Sequence, residues 1–471
     1  MKKNLFLFVF VSISSLWGYS QKVWTLQNCI DYALTNNIQI KQQQLAEQLA
    51  KINLVQSKLS VLPSLNGGVS HAYNFGQTID MYTNQFATNT VQSDNFYLST
   101  NFTVFNGFQL LNSIKQSKID LQSSRYDLEK MMNDISLNIS IAYLQVLYSI
   151  ELLNNAKNQI AVTQQQIERT KKLVEVGTVT KGTLLTLESQ AALEELEVVT
   201  TQNNLDLAYL TLTQMLDLTS TEDFQIDIPI LTISADTVTL NSTATIFTYA
   251  SNIQPEIKSA ELKLKSAELG LAIARGMRSP SISLRGSMGT GYSGASQRIK
   301  DVSYDYYPGG FTNTGDSVFL FNRIPTYEDI PFNDQIKENK NQSISFNLAI
   351  PLFNNWQTNA SVSKAKIAIK SAAYTLQTTK NTLYKTIQQA YADAAAALNK
   401  YKSSKKSVEA LKESFKYTEQ KFDVGMLNTT EYNDAKNKLS EAESNLLQAK
   451  YEYVFRLKVL DFYMGKPIEL K

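Results

Sequence analysis

The chain has 471 residues, of which 18 are Gly and 9 are Pro, about 3.8% and 1.9% where average proteins have roughly 7% and 5%. So few helix breakers argue against a turn-rich α/β enzyme and predict very long helices. The 45 Lys and Arg against 43 Asp and Glu leave no basic surface for nucleic acid, and one Cys with one His exclude an internal disulfide, a Cys-based zinc cluster and a His-pair metal site.

The N-terminus has the pattern of an export signal. Lys2 and Lys3 precede an apolar core from Leu5 to Trp17, and Gly18-Tyr19-Ser20 supplies small residues for cleavage. The core is too short for a transmembrane helix, which needs about 20 residues. We therefore predict a signal peptide over residues 1–20, the alternative being a buried N-terminal helix. No later run reaches about 18 consecutive apolar residues, so no transmembrane helix is expected in the exported protein.

The chain repeats itself. Residues 33–41 (ALTNNIQIK) match residues 250–258 (ASNIQPEIK) at an offset of 217, and Val176-Gly177 matches Val424-Gly425 at an offset of 248. The offsets differ by 31 residues, which places an insertion in the second half between Pro280 and Phe353. We predict that residues 21–471 comprise repeat 1 (about 24–218), a collar (219–241) and repeat 2 (about 242–465).

Each half begins with a helical segment and continues into strands. The helical segments are expected at about 26–59 and 244–277, ending before Pro63 and Pro280. The alternation of apolar and polar residues then predicts a pair of strands in each half. This makes four strands in all, each about 10–12 residues long. The alternating face includes Phe96, Leu98, Thr100, Phe102 and Val104, then Ile344, Phe346, Leu348, Ile350 and Leu352.

This alternation fits two kinds of sheet. A strand that crosses an outer membrane has an apolar face toward lipid and a polar face toward a lumen, and a half-buried sheet in a soluble protein alternates identically. Export and the long helices favour the membrane. A sheet in a bilayer must close, and four strands are too few because the smallest such barrels use about eight. We therefore expect several subunits to share one barrel.

Long helical tracts follow the strands. Helices are predicted over 110–176 and 359–424, and return helices over 184–216 and 431–463. At about 1.5 Å per residue, each longer tract would measure nearly 100 Å if straight. Gly177 and Gly425 are expected at left-handed positions that end the first helix of each hairpin. Thr180 or Thr183, and Thr429 or Thr430, are candidate N-caps of the return helices.

The sequence resembles the TolC-like outer-membrane efflux protein family. The resemblance covers essentially the whole exported chain, and it rests on the tandem halves and on these segments: Pro63-Ser64-Leu65, Ile350-Pro351-Leu352-Phe353-Asn354, Val176-Gly177-Thr178 and Val424-Gly425-Met426. It implies a mixed all-α and transmembrane-β fold. Four strands from each chain of a homotrimer would form a 12-stranded barrel in outer-membrane lipid, continuous with a long periplasmic α-helical barrel.

The resemblance also implies a function. By this resemblance, the protein is expected to be a passive exit duct in the outer membrane of a Gram-negative bacterium. The duct would serve a tripartite efflux or type I secretion system. A periplasmic adaptor (membrane fusion protein) and an inner-membrane pump would be its partners. No catalytic residue, cofactor or metal is expected. The alternative is an exported coiled-coil scaffold or adhesin with a soluble sheet.

Two groups of residues are candidate functional sites by this resemblance. Val176, Gly177, Thr178, Val424, Gly425 and Met426 would form the tip where the adaptor docks, although a tight turn between helices has the same sequence. Glu431 and Asp434 lie where the family narrows its periplasmic aperture, and an ordinary solvated acidic face is the alternative. Leu427 and Phe422 replace the Arg and Tyr of a polar gate lock, so an apolar constriction is a further possibility.

Four other features are interpreted as structural. Gly289, Gly291 and Gly294 match a dinucleotide-binding fingerprint, but no apolar helix follows them. Residues 293–342 contain the insertion and are expected to form an extracellular loop, packed or mobile. Cys29 is expected to be a small core residue, and His71 a tolerated residue of a strand.

Overall fold

The computed structural model describes residues 23–87, 90–220, 224–229 and 242–468. The predicted signal peptide lies outside these residues, as does much of the predicted collar. The chain divides into two compact units. One comprises the described residues of Met1–Ala50, Leu121–Lys263 and Ala372–Lys471, and the other comprises those of Lys51–Asp120 and Leu264–Ser371.

The helices reproduce the tandem repeat. Among the described residues they are α1 (Leu26–Asn36), α2 (Ile38–Leu59), α3 (Gln109–Glu175), α4 (Lys181–Met215), α5 (Thr243–Ile253), α6 (Pro255–Gly276), α7 (Phe332–Glu338), α8 (Gln357–Asp423) and α9 (Thr429–Tyr463). Helices α3 and α8 both have 67 residues, and α4 and α9 both have 35. The two predicted hairpins of equal length are therefore present.

The first helical segment of each half is interrupted, which the sequence analysis did not foresee. In repeat 1 the break is at Asn37, whose side chain accepts the backbone N–H of Gln39 (2.9 Å) and donates to Met215 O (3.1 Å). In repeat 2 the break is at Gln254, immediately before Pro255. Both breaks have a local cause, because an Asn side chain competes for backbone amides and Pro supplies none.

The strands are more numerous than predicted. They are β1 (Ser64–Asn74), β2 (Thr78–Ile79), β3 (Phe86–Ala87), β4 (Val91–Phe105), β5 (Ser281–Ser293), β6 (Gln297–Phe311), β7 (Ser317–Asp329) and β8 (Asn341–Ala349). Four of them form one antiparallel sheet in the order β1-β4-β5-β8. The prediction of four strands is correct for this sheet, but it missed the separate pairs β2–β3 and β6–β7. The predicted last strand was also too long at its C-terminal end, since β8 stops at Ala349 and leaves out Ile350 and Leu352.

Matching residues of the two repeats build the core of the helical unit. One cluster packs α1 residues such as Cys29 against α3 residues such as Tyr143 and Leu147. A second cluster packs Ile246 of α5 against Ile387 of α8. Cys29 is fully buried, as expected, and burial raises the pKa of its thiol to about 12. Tyr143 donates a hydrogen bond to Asp227 O (2.7 Å), so the described part of the collar is tied to α3.

Helix α3 is the one helix of the described residues that is long and apolar enough to cross a membrane by length and composition. Its best 18-residue window has a mean hydropathy of 1.3, and 44% of that window is buried inside the protein. The apolar residues of α3 that belong to the core, including Ile139 and Val146, account for this composition. The window therefore adds little to the case for a membrane-spanning helix.

Candidate functional site

The two helical hairpins turn through the same backbone structure. In the first, Gly177 N donates to Val174 O and Thr178 N donates to Leu173 O, both at 3.0 Å. In the second, Gly425 N donates to Phe422 O (3.0 Å) and Met426 N to Lys421 O (2.8 Å). These paired bonds define the Schellman motif, in which the residue after the helix has a positive φ. The φ angles of Gly177 and Gly425 are 77° and 76°, as the sequence predicted.

The two turns present apolar side chains to solvent. Val176, Val424 and Met426 are 71%, 70% and 73% exposed. A Cβ built on Gly177 or Gly425 would meet no atom within 4 Å, so the surface beside each glycine is open. The six residues predicted to form the tip are therefore solvent-exposed in this chain.

The first and second hairpins are linked close to their turns. Arg169 of α3 forms an ion pair with Asp423, the last residue of α8. Behind this pair, Phe422 stacks on Tyr432 of α9 with ring centroids 4.5 Å apart, and Tyr432 is almost fully buried. Phe422 thus makes an aromatic contact at the position where the resemblance led us to look for a polar lock.

Glu431 has a local structural role that the sequence analysis missed. Its backbone N–H donates to Asn428 Oδ1 (2.9 Å), and its carboxylate accepts the N–H of Asn428 (3.2 Å). This reciprocal pair is a capping box, and the N-cap of α9 is Asn428. The predicted caps Thr429 and Thr430 are wrong, because both already belong to the first turn of the helix. Thr180 is the N-cap of α4, one of the two residues proposed for it.

Asp434 and Glu431 lie on the exposed face of α9. Asp434 forms an ion pair with Lys438 one turn later (2.7 Å), so part of its charge is compensated locally. Each chain therefore places two carboxylates and one nearby ammonium group on this face. The aperture role of Glu431 and Asp434 stays a prediction.

A buried polar cluster lies behind that face. Lys436 Nζ donates to Glu194 Oε1 (3.2 Å), to Gln159 O (2.9 Å) and to Thr163 Oγ1. Thr163 donates in turn to Glu194 Oε2 (2.5 Å). The side chains of Lys436 and Glu194 are only 5% and 8% exposed. The cluster joins α9 of repeat 2 to α3 and α4 of repeat 1.

Lys436 and Glu194 were not found from the sequence, although a signal exists. On α4 the buried residues Leu187, Glu194, Thr201 and Ala208 follow one another at intervals of seven. A charged residue in such a seam is a candidate buried ion. Desolvation lowers the pKa of Lys436, and the charge and hydrogen bond of Glu194 oppose that shift.

The four-stranded sheet has one apolar and one polar face. The register places Leu98 opposite Gly67 and Met288, and Leu284 opposite Phe102 and Phe346. The apolar residues of one face are Leu65, Val69, Phe96, Leu98, Phe102, Ile282, Leu284, Met288, Ile344, Phe346 and Leu348, and the same face carries His71 and Asp94 near the C-terminal end of β1. The opposite face is mainly Ser and Asn, with Tyr97, Thr103 and Arg285. Leu65, Val69, Ile344, Phe346 and Leu348 are all strongly exposed.

Both edges of this sheet lack a partner among the described residues. Strand β1 pairs only with β4, and β8 pairs only with β5. His71 lies on β1, and its Nδ1 atom is hydrogen-bonded to the carboxylate of its cross-strand neighbour Asp94. No group of three or more His, Cys, Asp or Glu residues in the described ranges is arranged to hold a metal ion.

Comparison with known proteins gives a consistent picture. The chain matches the outer membrane efflux protein family over residues 29–217 and 250–466. It is 21% identical to the outer membrane protein TolC of Salmonella enteritidis over 99% of this chain and 86% of that protein. Its fold resembles that of the outer membrane protein VceC of Vibrio cholerae, with a TM-score of 0.73, 14% identity and coverage of 94% and 97%. It also resembles the CmeC outer membrane channel of Campylobacter jejuni, with a TM-score of 0.72 and 18% identity. The match covers 93% of this chain and 85% of that one.

Proposed function

The chain belongs to the outer membrane efflux protein family, and we propose that it forms a homotrimeric exit duct that a periplasmic adaptor connects to an inner-membrane pump. Family membership makes it an efflux duct of the Gram-negative outer membrane. The trimer, the adaptor and the pump go beyond that membership. We also propose that the chain has no catalytic activity of its own and that the pump supplies the energy.

The observation that carries the proposal is the four-stranded sheet with its exposed apolar face and two open edges. In a bilayer each unpaired backbone group at an edge costs several kcal/mol, so the sheet must close with other copies. Three copies would supply twelve strands, within the range of outer-membrane barrels, which begins at about eight. The apolar face then meets lipid, and the Ser- and Asn-rich face lines a water-filled lumen.

The helical turns support the adaptor contact. Val176, Val424 and Met426 are exposed apolar residues on turns that tandem duplication has placed at matching positions. Exposed apolar residues that gather into one contiguous patch often mark an interaction site, and three copies of these turns would bring such residues together. We assign the tip residues 176–178 and 424–426 to adaptor docking.

Arginine substitutions on the two faces of β8 test the membrane assignment. Phe346→Arg puts a charge on the apolar face, where it costs about 2–4 kcal/mol at the middle of a bilayer. Asn347→Arg, the matched control, puts the same charge on the neighbouring polar face. In membrane flotation, we expect the Asn347→Arg protein to be recovered in the outer-membrane fraction. Little of the Phe346→Arg protein should be found there. Equal recovery of both variants, or a wild-type protein that stays aqueous and monomeric, would support the soluble scaffold instead.

A further inference from the structure

Strands β6 and β7 form a long ribbon that extends beyond the main sheet. They pair over most of their 15 and 13 residues, and among the described residues neither strand pairs with any other. An isolated two-stranded ribbon is marginally stable in water. A surface that covers one of its faces would therefore stabilise this ribbon.

The two faces of the ribbon differ in chemistry. The register places Tyr306 directly opposite Phe321 and Tyr304 opposite Arg323, with Tyr304 and Phe321 rings 5.6 Å apart. The aromatic face comprises Ile299, Val302, Tyr304, Tyr306, Pro308, Phe311, Phe319, Phe321, Arg323, Pro325 and Tyr327. The other face carries Arg298, Asp301, Ser303, Asp305, Asn322, Thr326 and Glu328, and also Tyr307, Val318, Leu320 and Ile324.

The base of the ribbon is fixed. Gln335 of α7, almost fully buried, accepts Ser293 N (2.9 Å) and donates to Ser293 O (3.0 Å) and Ile330 O (2.8 Å). Ser293 in turn donates to Asp80 of the connection between β1 and β4 (2.5 Å). A ribbon anchored by such a network leaves the sheet in one direction and presents its faces in a defined orientation.

The glycines of the apparent nucleotide fingerprint belong to this base. A Cβ on Gly291 would stand 1.6 Å from Tyr82 Oη and 2.3 Å from Asp94 O. Gly291 is therefore glycine because the connection between β1 and β4 packs directly onto β5. This contact accounts for the central glycine of the motif without a nucleotide.

We propose that the aromatic face of the ribbon covers the connection between β1 and β4 of a neighbouring copy of this chain. The proposal rests on the proposed function, since it requires β8 of one copy to lie beside β1 of the next. The ribbon is inserted between β5 and β8, and residues 75–90 join β1 to β4. Closing the barrel therefore brings the ribbon of one copy next to that connection of its neighbour.

The two surfaces match in character. The connection exposes Phe75, Ile79, Met81 and Phe86, while Asp80 and Tyr82 face its own β5. The ribbon's aromatic face has six exposed aromatic residues, with exposed fractions of 52–77%: Tyr304, Tyr306, Phe311, Phe319, Phe321 and Tyr327. At about 150–250 Å² for a whole aromatic side chain, they offer roughly 700 Å² of surface. That area is close to the roughly 800 Å² that each partner contributes to a stable interface.

Lipid is less suited than a neighbouring copy of the chain to cover the aromatic face of the ribbon. Strand β5 has 13 residues before the ribbon begins, and a tilted strand needs only about 9–11 to cross an outer membrane. The ribbon thus starts beyond the membrane-crossing length. Its aromatic face also carries Arg323, and its other face carries Asp301 and Asp305, which the hydrocarbon would exclude.

Cysteine cross-linking of the full-length protein in its native membrane tests the proposal. Tyr306→Cys is combined with Met81→Cys, and the matched control combines Asp305→Cys, on the polar face, with Met81→Cys. Cys29 is fully buried and does not compete for a bismaleimide reagent. We expect a ladder of covalent dimers and trimers for the Tyr306 pair, and at least fivefold less for the Asp305 pair.

A second variant pair measures the energetic contribution. Phe319→Ser with Phe321→Ser removes two rings from the aromatic face, and Leu320→Ser with Ile324→Ser removes two apolar side chains from the other face. We expect only the former to lower the temperature at which the oligomer dissociates in detergent. An oligomer of wild-type mass without the Tyr306 ladder would overturn the ribbon contact and leave the duct intact. Failure of the wild-type protein to form any oligomer would overturn the proposed function itself.

Discussion

Lys436 and Glu194 show how a charged pair can serve as a helix connector. Both side chains lie where a helix seam normally holds apolar residues, and each is satisfied by hydrogen bonds that include Thr163. Taking two ions out of water is costly, and their attraction offsets that cost only when their remaining bonds are made. The pair and Thr163 thus join α9 to α3 and α4 through buried polar contacts.

Breaking this pair on one side is expected to destabilise the helical unit. Lys436→Met leaves the Glu194 carboxylate buried without its cation, a change that costs about 3–5 kcal/mol in comparable pairs. Lys436→Met combined with Glu194→Met removes both ions and should recover most of that loss. Thermal unfolding followed by far-UV circular dichroism measures the effect.

The control for this experiment is Lys438→Met, which removes the exposed partner of Asp434 on the same helix. Exposed ion pairs contribute about 0–1 kcal/mol to the free energy of unfolding. The thermal unfolding midpoint of this variant should therefore stay near that of the wild type. A double variant no more stable than Lys436→Met alone would show that the pair is not a coupled unit.

Gly425 is expected to be essential for docking but not for folding. Gly425→Trp projects a large side chain into the open space beside the turn, whereas Gly425→Asn keeps a residue that tolerates positive φ. We predict that Gly425→Trp abolishes substrate export in cells lacking the native chain, while oligomers persist in the outer membrane. Gly425→Asn should retain export. Normal export by Gly425→Trp would remove the tip from the docking surface.

At the scale of elements, the sequence predicted the long helices closely. The helices expected at 110–176 and 359–424 are α3 (Gln109–Glu175) and α8 (Gln357–Asp423). They were predictable because Gly and Pro are absent from their interiors. The repeat also supplied each helix boundary twice, once in each half of the chain. The four main strands were predictable for a similar reason, since apolar and polar residues alternate over most of their length.

Other elements depend on interactions that local sequence does not reveal. The ribbon β6–β7 carries Pro308, Gly309, Gly310 and Pro325, which obscure its alternation, and its pairing contains register shifts after Ile299 and Pro308. The cap of α9 was misplaced because three consecutive residues, Asn428 to Thr430, are all acceptable caps. The capping box with Glu431 decided among them. The buried pair of Lys436 and Glu194 is hard to find from the sequence, because charged residues of a helix usually face solvent.

The exposed face of α9 gives a prediction about ion selectivity. Glu431→Gln with Asp434→Asn removes both charges, and Gln at position 431 can still complete the capping box. If three copies ring the aperture, removal of the carboxylates lowers the local cation concentration. Single-channel recordings should show reduced cation preference for this double variant.

Glu441→Gln is the matched control, since Glu441 is an exposed carboxylate ten residues further along α9. It should leave the cation preference within error of the wild type. Unchanged selectivity in the double variant would return Glu431 to a purely capping role.

At the scale of the whole molecule, each repeat contributes the same parts. Repeat 1 supplies β1, β4 and the hairpin α3–α4, and repeat 2 supplies β5, β8 and the hairpin α8–α9. The exposed apolar sheet face and the open edges belong to one unit, and the exposed turns belong to the other. The proposed oligomeric duct would pair these edges and cover these surfaces.

If copies of this chain assemble into an open path through the outer membrane, the purified oligomer should conduct ions across planar lipid bilayers. We expect discrete, uniform channel openings from an oligomer whose mass corresponds to three chains. A protein that inserts without conducting, or that elutes as a monomer without detergent, would contradict this assembly.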